Sequence, residues 1–301
     1  MILEQPCIPN FVALVKDRLS SDNRNVTRPQ YCSAITPLIR IVKPMHRRDF
    51  AKLACLSCCS GSLVIKTQAA DEGWIDLIGG TSNGLEAFIK PRGYWKQAAA
   101  VTLDAARPNQ LEWTETTEKT GIWVNGPSGR TNNLVSHQAF GDLEVMLDFN
   151  VPKGSNSGIK LQGLYEIQIY DSHGVAKEKF DASGMGGVYP RAELLPRYHH
   201  IDKGYPAKVN PSAPPGQWQS MHILFRAPKF DANGKKIASA KFEKVLINGQ
   251  EVHRNLTVPS PTGHAYVLPE VAQGPIFLQG DHGPVAFRNV KVRPLTDRPV
   301  S

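Results

Sequence analysis

Cysteine is confined to the first 60 positions, as Cys7, Cys32, Cys55, Cys58 and Cys59. From residue 60 onward, disulfide bridges and thiolate metal sites are therefore excluded. Also missing is any unbroken apolar run long enough to span a bilayer, so no transmembrane segment is expected. Beyond Asp71 no long segment repeats apolar residues at helical spacing. Excess positive charge is lacking there too, despite a formal net charge of +8. Residues 1–70 hold 10 of the 35 Lys and Arg but only 4 of the 27 Asp and Glu, which leaves 25 basic against 23 acidic residues in the rest. With the basic surplus in a leader, no nucleic-acid partner is expected. What remains, 41% hydrophobic and 21% charged over 301 residues, is the composition of a globular protein with room for a sizeable core.

The leader has an order of its own. Met45-His46-Arg47-Arg48-Asp49-Phe50-Ala51-Lys52 precedes a weakly apolar stretch from Leu53 to Ile65, and Thr67-Gln68-Ala69 follows. This layout resembles a twin-arginine export signal with a small-residue cleavage site. A short buried helix is the competing reading, but the Cys-Leu-Ser-Cys-Cys and Gly-Ser interruptions make a poor core helix. Neither Cys55 nor Cys58 follows a lipobox, which argues against a lipid anchor. The expectation is that residues 1–44 are an upstream gene-model extension, that Met45 starts the precursor, and that 45–70 form the signal. The folded body is then 71–301, located in the periplasm or secreted.

The body reads as mostly β. From Asp142 to Val151, Leu143, Val145, Leu147 and Phe149 alternate with Glu144, Met146, Asp148 and Asn150, giving one apolar face. Further strands are expected at 110–114, 121–124, 159–162, 165–170, 218–226, 242–247, 251–254, 275–278 and 285–292. Asn248-Gly249 between apolar runs is a two-residue hairpin turn, whose type I′ form needs positive φ at both positions. About ten antiparallel strands in one domain make a sandwich or jelly roll. The stretch from Ser172 to Gly216 is rich in Gly, Pro, Tyr and His with little periodicity, and is expected to form long loops over one face.

Three constellations carry candidate chemistry. Glu166, Gln168 and Tyr170 share one face of a strand while Ile167 and Ile169 share the other. Asn156-Ser157-Gly158-Ile159-Lys160 precedes it closely enough to pair as a hairpin neighbour, bringing Asn156, Lys160 and Glu166 into one region. A glycosidase with two carboxylates needs them about 5–9.5 Å apart. Glu166 and Asp171 do not meet this, because five residues of strand span about 16 Å and an odd offset points them to opposite faces. The second constellation is Gln279-Gly280-Asp281-His282-Gly283, a tight loop between a strand ending at Gln279 and a returning strand that carries Arg288. A His beside a carboxylate suits proton transfer near neutral pH, although a turn-capping Asp and a solvated His would look the same. The third is Tyr198-His199-His200-Ile201-Asp202, where adjacent histidines without a third ligand make a weak metal site. Trp218 is either a sugar-stacking platform or a core aromatic.

At these residues the chain resembles the 3-keto-disaccharide hydrolase domain family, formerly a domain of unknown function, whose members are concanavalin A-like jelly rolls. The resemblance runs from about Gly73 to Leu295. It rests on Gly73-Trp74-Ile75-Asp76-Leu77-Ile78, Phe140-Gly141-Asp142-Leu143, Asn156-Ser157-Gly158-Ile159 and Tyr165 through Asp171. Gly187-Val188-Tyr189, Pro215-Gly216-Gln217-Trp218, Ile247-Asn248-Gly249 and Leu278 through Asn289 complete it. The chain departs from the pattern in Ile78-Gly79-Gly80 at the opening, in Gln219 after the Trp, and in Lys160 where Arg is more usual. The last matters most, because an ammonium cannot copy a planar bidentate fork.

The resemblance implies an all-β jelly-roll enzyme that cleaves 3-keto-glycosides or 3-keto-disaccharides. A 3-ketone acidifies the C2 proton, so one base can remove it and the glycosidic oxygen leaves by β-elimination, followed by hydration. Glu166 or His282 is then the base, with Asp281 orienting His282. Lys160 or Arg288 stabilises the enolate, or a divalent cation takes that part. Asn156, Gln168, Tyr189, Arg191, Trp218 and Gln279 are the remaining substrate-binding candidates. The partners implied are a 3-keto sugar and a sugar 3-dehydrogenase acting upstream. The rival readings are a lectin-like binding module without turnover and a scaffold with no sugar affinity, since fold alone does not separate them.

Overall fold

The computed structural model describes residues 73–79, 84–89, 93–263 and 268–295. The expectations for residues 1–70 lie outside them. In chain order the first strands are β1 Ile75–Ile78, β2 Lys96–Leu103, β3 Leu111–Glu115, β4 Ile122–Val124, β5 Leu134–Phe140, β6 Leu143–Asn150, β7 Asn156–Leu161 and β8 Tyr165–Tyr170. There follow β9 Ala192–Glu193, β10 His199–His200, β11 Trp218–Arg226, β12 Lys229–Phe230, β13 Lys236–Ala238, β14 Ala240–Ile247, β15 Gln250–Val258, β16 Gly274–Leu278 and β17 Ala286–Pro294. The helical content among the described residues is a single 3-10 turn at Lys177–Lys179.

Two antiparallel sheets face each other. The larger runs β15-β14-β11-β6-β17-β4-β2-β3, with β1 also paired to β17. The smaller runs β5-β16-β7-β8. Period-two alternation decides which side chains meet between them. Leu143, Val145, Leu147 and Phe149 of β6 point inward with Met221, Ile223 and Phe225 of β11, and meet Ile159, Leu161, Ile167, Ile169, Ile276 and Leu278 from the smaller sheet. This is an all-β jelly-roll sandwich of the concanavalin A type. The hairpin between β14 and β15 turns at Asn248 and Gly249 with φ of 51° and 74°, the type I′ geometry read from the sequence.

Strands with clean alternation appear where the sequence places them, to within a few residues. β1, β2 and β5 are additions, as are the short β9, β10, β12 and β13. β2 reads Lys-Gln-Ala-Ala-Ala-Val-Thr-Leu, poor in β-branched residues, and its register with β3 slips between Ala98 and Ala100. β5 carries Ser136, His137 and Gln138 in its middle and pairs irregularly with β16. A correction concerns the loop 279–285. It was read as a turn between neighbouring strands, but β16 belongs to the smaller sheet and β17 to the larger, so the chain crosses the sandwich there.

The edge of β8 is not left open. The stretch 186–189 lies along it, with Gly186 N–H donating to the Gln168 carbonyl, Gln168 N–H to Gly187, and Tyr189 N–H to Glu166. Val188 in turn bridges to Tyr205. The loops expected over one face thus continue the smaller sheet and cover an otherwise reactive edge. They are pinned from behind by His253 of β15, whose Nε2 donates to the Gly186 carbonyl at 2.7 Å.

Burial holds the His253 pKa below its usual 6.5, outweighing that hydrogen bond. The unfolded chain therefore takes up the proton more readily, and stability should fall as pH drops below about 6.5. Thermal unfolding between pH 7.5 and 5 should show this decline. It should be shallower in His253→Gln, and equal slopes would remove His253 as its source.

Candidate functional site

The outer face of the smaller sheet carries the polar residues that alternate with the core. Register places them in cross-strand rows. Phe277, Lys160 and Glu166 form one row, Gly158 and Gln168 the next, and Asn156 and Tyr170 the third. Gln279 lies beside Gly158, its N–H donating to the Gly158 carbonyl. A strand exposed on this face would leave such residues in water, yet Glu166 is 4% and Gln168 2% exposed. The Thr262 hydroxyl accepts the Glu166 N–H at 3.0 Å.

Lys160 Nζ stands 3.2 Å from Glu166 Oε2. Both side chains are largely buried, so the pair is held in low dielectric and neither charge can be removed cheaply. The ammonium also sits 5.5 Å from the centre of the Phe277 ring. The Glu166 carboxylate leans from its own row over Gly158. A Cβ at 158 would lie 2.4 Å from Glu166 Oε1, so the missing side chain there is what admits the carboxylate. Gln168 Nε2 donates to Asn156 Oδ1 at 2.7 Å. Gln279 Oε1 is buried and has no hydrogen-bond partner, an acceptor at the edge of the same face.

The crossing loop brings Asp281 and His282 to one end of these rows. His282 Nδ1 donates to Asp281 Oδ1 at 2.6 Å, and the other Asp281 oxygen accepts from Asn133 Nδ2 at 3.3 Å. Asn133 Oδ1 accepts the Gly280 N–H at 2.7 Å, so one side chain fixes both the loop and its carboxylate. Nothing in the Asn132-Asn133 sequence announces this role. The hydrogen bond to Asp281 raises the His282 pKa against partial desolvation, and Glu166 and Lys160 are near enough to act on it, in opposite directions. Desolvation pushes the Asp281 carboxyl up, but the hydrogen bonds from His282 and Asn133 win and hold it below the usual range. With Nδ1 engaged, Nε2 is the ring nitrogen left for a ligand.

A cleft of about 310 Å³ opens beside the rows, lined by Asn156, Gln168, Tyr170, Phe180, Asp181 and Tyr189 among others. Tyr189 is the next residue beyond Glu166 across the sheet edge. Arg191 lies further out, its guanidinium engaged by Asp202 at 3.1 Å and Ser260 at 3.1 Å. Among the described residues no three His, Cys, Asp or Glu side chains gather as metal ligands. Asp281 is held by His282 and Asn133 and Glu166 by Lys160, so as arranged these side chains do not offer a divalent cation the three or more converging ligands it needs. His199 and His200 are likewise no metal site, His199 lying 3.7 Å from Glu193 and His200 meeting Tyr189.

Two predicted residues stand apart. Trp218 and Arg288 belong to the larger sheet, with Arg288 stacked 4.2 Å from the Trp218 ring and paired to Asp148 at 3.0 Å. Trp218 packs with Ala286 and Val124 in a small cluster separate from the main core, on the far side of the sandwich from Glu166. The separation follows from the crossing at 279–285, which carries Arg288 out of the smaller sheet. A larger groove of about 520 Å³ also lies on that far face, where Asp148 and His222 are already tied to Arg288 and Glu144.

The fold and the family it falls in mark this jelly-roll sandwich as a carbohydrate-active protein. Within it, residues 73–293 match the 3-keto-alpha-glucoside-1,2-lyase-like domain family, and the chain belongs to that family. No curated protein matches the chain. Among solved structures, a Parabacteroides distasonis protein provisionally named a glycosyl hydrolase is 24% identical, with 74% of this chain and 84% of that one covered and a TM-score of 0.52. A second such protein from that organism is 16% identical, covers 74% and 95%, and has a TM-score of 0.44. Bacillus licheniformis beta-glucanase is 12% identical over 72% and 97%, with a TM-score of 0.35. The first shares the fold, and nothing further rests on the other two.

The glycine that admits Glu166 is testable. Gly158→Ala should displace the carboxylate while leaving the fold intact, since the atom it meets is the end of a flexible side chain. Turnover should fall on the order of 10²-fold, with the thermal midpoint changed little. Unchanged turnover would show that the carboxylate position is immaterial.

Proposed function

We propose that the protein cleaves 3-keto-glycosides by β-elimination and hydration, with His282 as the base and Lys160 as the group that stabilises the enolate. The observation that carries this reading is that His282, held by Asp281, lies near enough to the Lys160–Glu166 pair to feel the charge of both. One base and one fixed cation are what the eliminative route requires. Paired free carboxylates, which ordinary glycoside hydrolysis uses, are not available at this face, because Glu166 is bound to Lys160.

The assignment between Glu166 and His282 follows from their contacts. Glu166 is enclosed, its carboxylate 3.2 Å from the Lys160 ammonium. His282 has the opposite setting: Asp281 raises its proton affinity and fixes the tautomer that leaves Nε2 free. In the first step Nε2 takes the C2 proton, and the C–H pair moves into the C2–C3 bond as charge collects on the C3 oxygen beside Lys160. In the second step that charge returns, the C1–C2 double bond forms and the C1–O pair leaves with the aglycone oxygen. Water then adds at C1 and C2 is reprotonated, so the sum is hydrolysis. Glu166 holds the ammonium in place, and Gln168, Asn156 and Gln279 offer polar contacts to sugar hydroxyls.

Export belongs to the same proposal, supported by Arg47-Arg48 with Phe50 and Lys52 ahead of a small-residue site. The ketone must come from a reaction that oxidises a C3 hydroxyl, so a sugar 3-dehydrogenase acting upstream is the partner. No helix among the described residues is long and apolar enough to cross a membrane.

Purified protein incubated with a 3-keto-glucoside should release the aglycone, while the unoxidised parent stays intact, and a chelator should make no difference. Binding without release would favour the lectin-like reading. Because the neutral form of His282 is the base, kcat/KM should fall as pH drops through a pKa lying above 6.5. Asp281→Asn should move this acid limb to lower pH, and His282→Ala should cost on the order of 10²–10⁴ in rate. A limb unmoved by Asp281→Asn would return the role of base to Glu166.

A further inference from the structure

Elimination needs an acid for the leaving oxygen as well as a base for C2, and the assignments above leave that part unfilled. The base stands at the end of the rows near Asn156, where a Cβ on Gly283 would lie 2.8 Å from the Asn156 amide nitrogen. At the other side, beyond Glu166, Tyr189 is fixed by its own N–H on the Glu166 carbonyl. Its ring walls the 310 Å³ cleft together with Gln168 and Asn156. It and the cation flank the same backbone: a Cβ on Gly263 would lie 3.9 Å from both Lys160 Nζ and Tyr189 Cδ1.

The hydroxyl of Tyr189 is held from outside the cleft. Tyr198 donates to it at 3.3 Å, and His200 Nε2 lies 3.1 Å away. The His200 ring meets both tyrosines edge-on, with centroids 5.2 and 5.7 Å apart. These two residues come from the Tyr198-His199-His200 stretch, which does not enter the chemistry above.

We propose that Tyr189 is the proton donor to the leaving glycosidic oxygen, with Tyr198 and His200 as positioning residues that orient its hydroxyl. This rests on the eliminative reading. As the C1–O bond breaks, its electron pair goes to the aglycone oxygen, which takes the phenolic proton, and the aglycone departs as a neutral alcohol. The phenolate left behind accepts the hydrogen bond from Tyr198. When water adds at C1 its surplus proton returns to Tyr189, so the residue ends the cycle as it began. Burial, with the negative charges of Glu166 and Asp181, pushes the phenol pKa up, so the proton is in place throughout the neutral range.

Leaving-group dependence separates this role from a structural one. The wild type, Tyr189→Phe, His200→Gln and Lys160→Gln should be assayed on methyl and 4-nitrophenyl 3-keto-glucosides. Methanol needs a proton to leave, whereas 4-nitrophenolate does not. Tyr189→Phe should lose on the order of 10²–10³ in kcat/KM on the methyl glycoside and less than about tenfold on the nitrophenyl one. His200→Gln should show the same bias with a smaller loss, and serves if Tyr189→Phe does not fold. Lys160→Gln, which removes enolate stabilisation, should lose similarly on both. Equal losses in Tyr189→Phe and His200→Gln on the two substrates would overturn the proposal alone. A wild type that cleaves neither keto glycoside would overturn the eliminative reading beneath it.

Discussion

The register between β7 and β8 is the constraint on which the rest depends. Lys160 faces Glu166, Gly158 faces Gln168, and Ile159 faces Ile167. A slip of one residue would send Ile167 outward and carry the Glu166 carboxylate into an apolar core. The cost of burying an unpaired charge there, several kcal/mol, defends the register more firmly than any single apolar contact. The same alternation that builds the core thus delivers the polar rows to the opposite face.

Those rows are held out of water. β8 is buried on both faces, and its edge is paired with the stretch 186–189 and Thr262. Taking water away raises the weight of each charge that remains. Lys160 and Glu166 satisfy one another, while Asp281 and Asn133 hold His282 from a separate loop. The two pairs are supported independently, so one can change its protonation while the other stays rigid. The far face of the larger sheet shows the contrast. There Glu144 and Asp148 pair with Arg293, His222 and Arg288 across neighbouring strands, and no single pair is enclosed by loops to the same degree.

Much of this was legible in residue order. The alternation in 142–151 and 165–170, the Asn248-Gly249 turn, and the approach of Asn156, Lys160 and Glu166 all come from local pattern and hairpin proximity. β2 and β5 were not legible, because Ala-rich and Ser-His-Gln sequences acquire strand geometry only from their neighbours. Asn133 was invisible for a related reason: its partners Gly280 and Asp281 lie nearly 150 positions away.

The sequence by itself determined that the body is all-β, which face of each strong strand is apolar, and that Lys160 and Glu166 belong together, since period-two alternation and short hairpins are local properties. Only the tertiary structure decided which sheet each strand joins. The chain crosses from one layer to the other between Gln279 and Ala286, and that crossing leaves Asp281 and His282 beside Glu166 while carrying Arg288 to Trp218 on the other side. No spacing rule distinguishes a loop that turns back within a sheet from one that bridges two, because the difference lies in how the sheets pack and not in the residues of the loop.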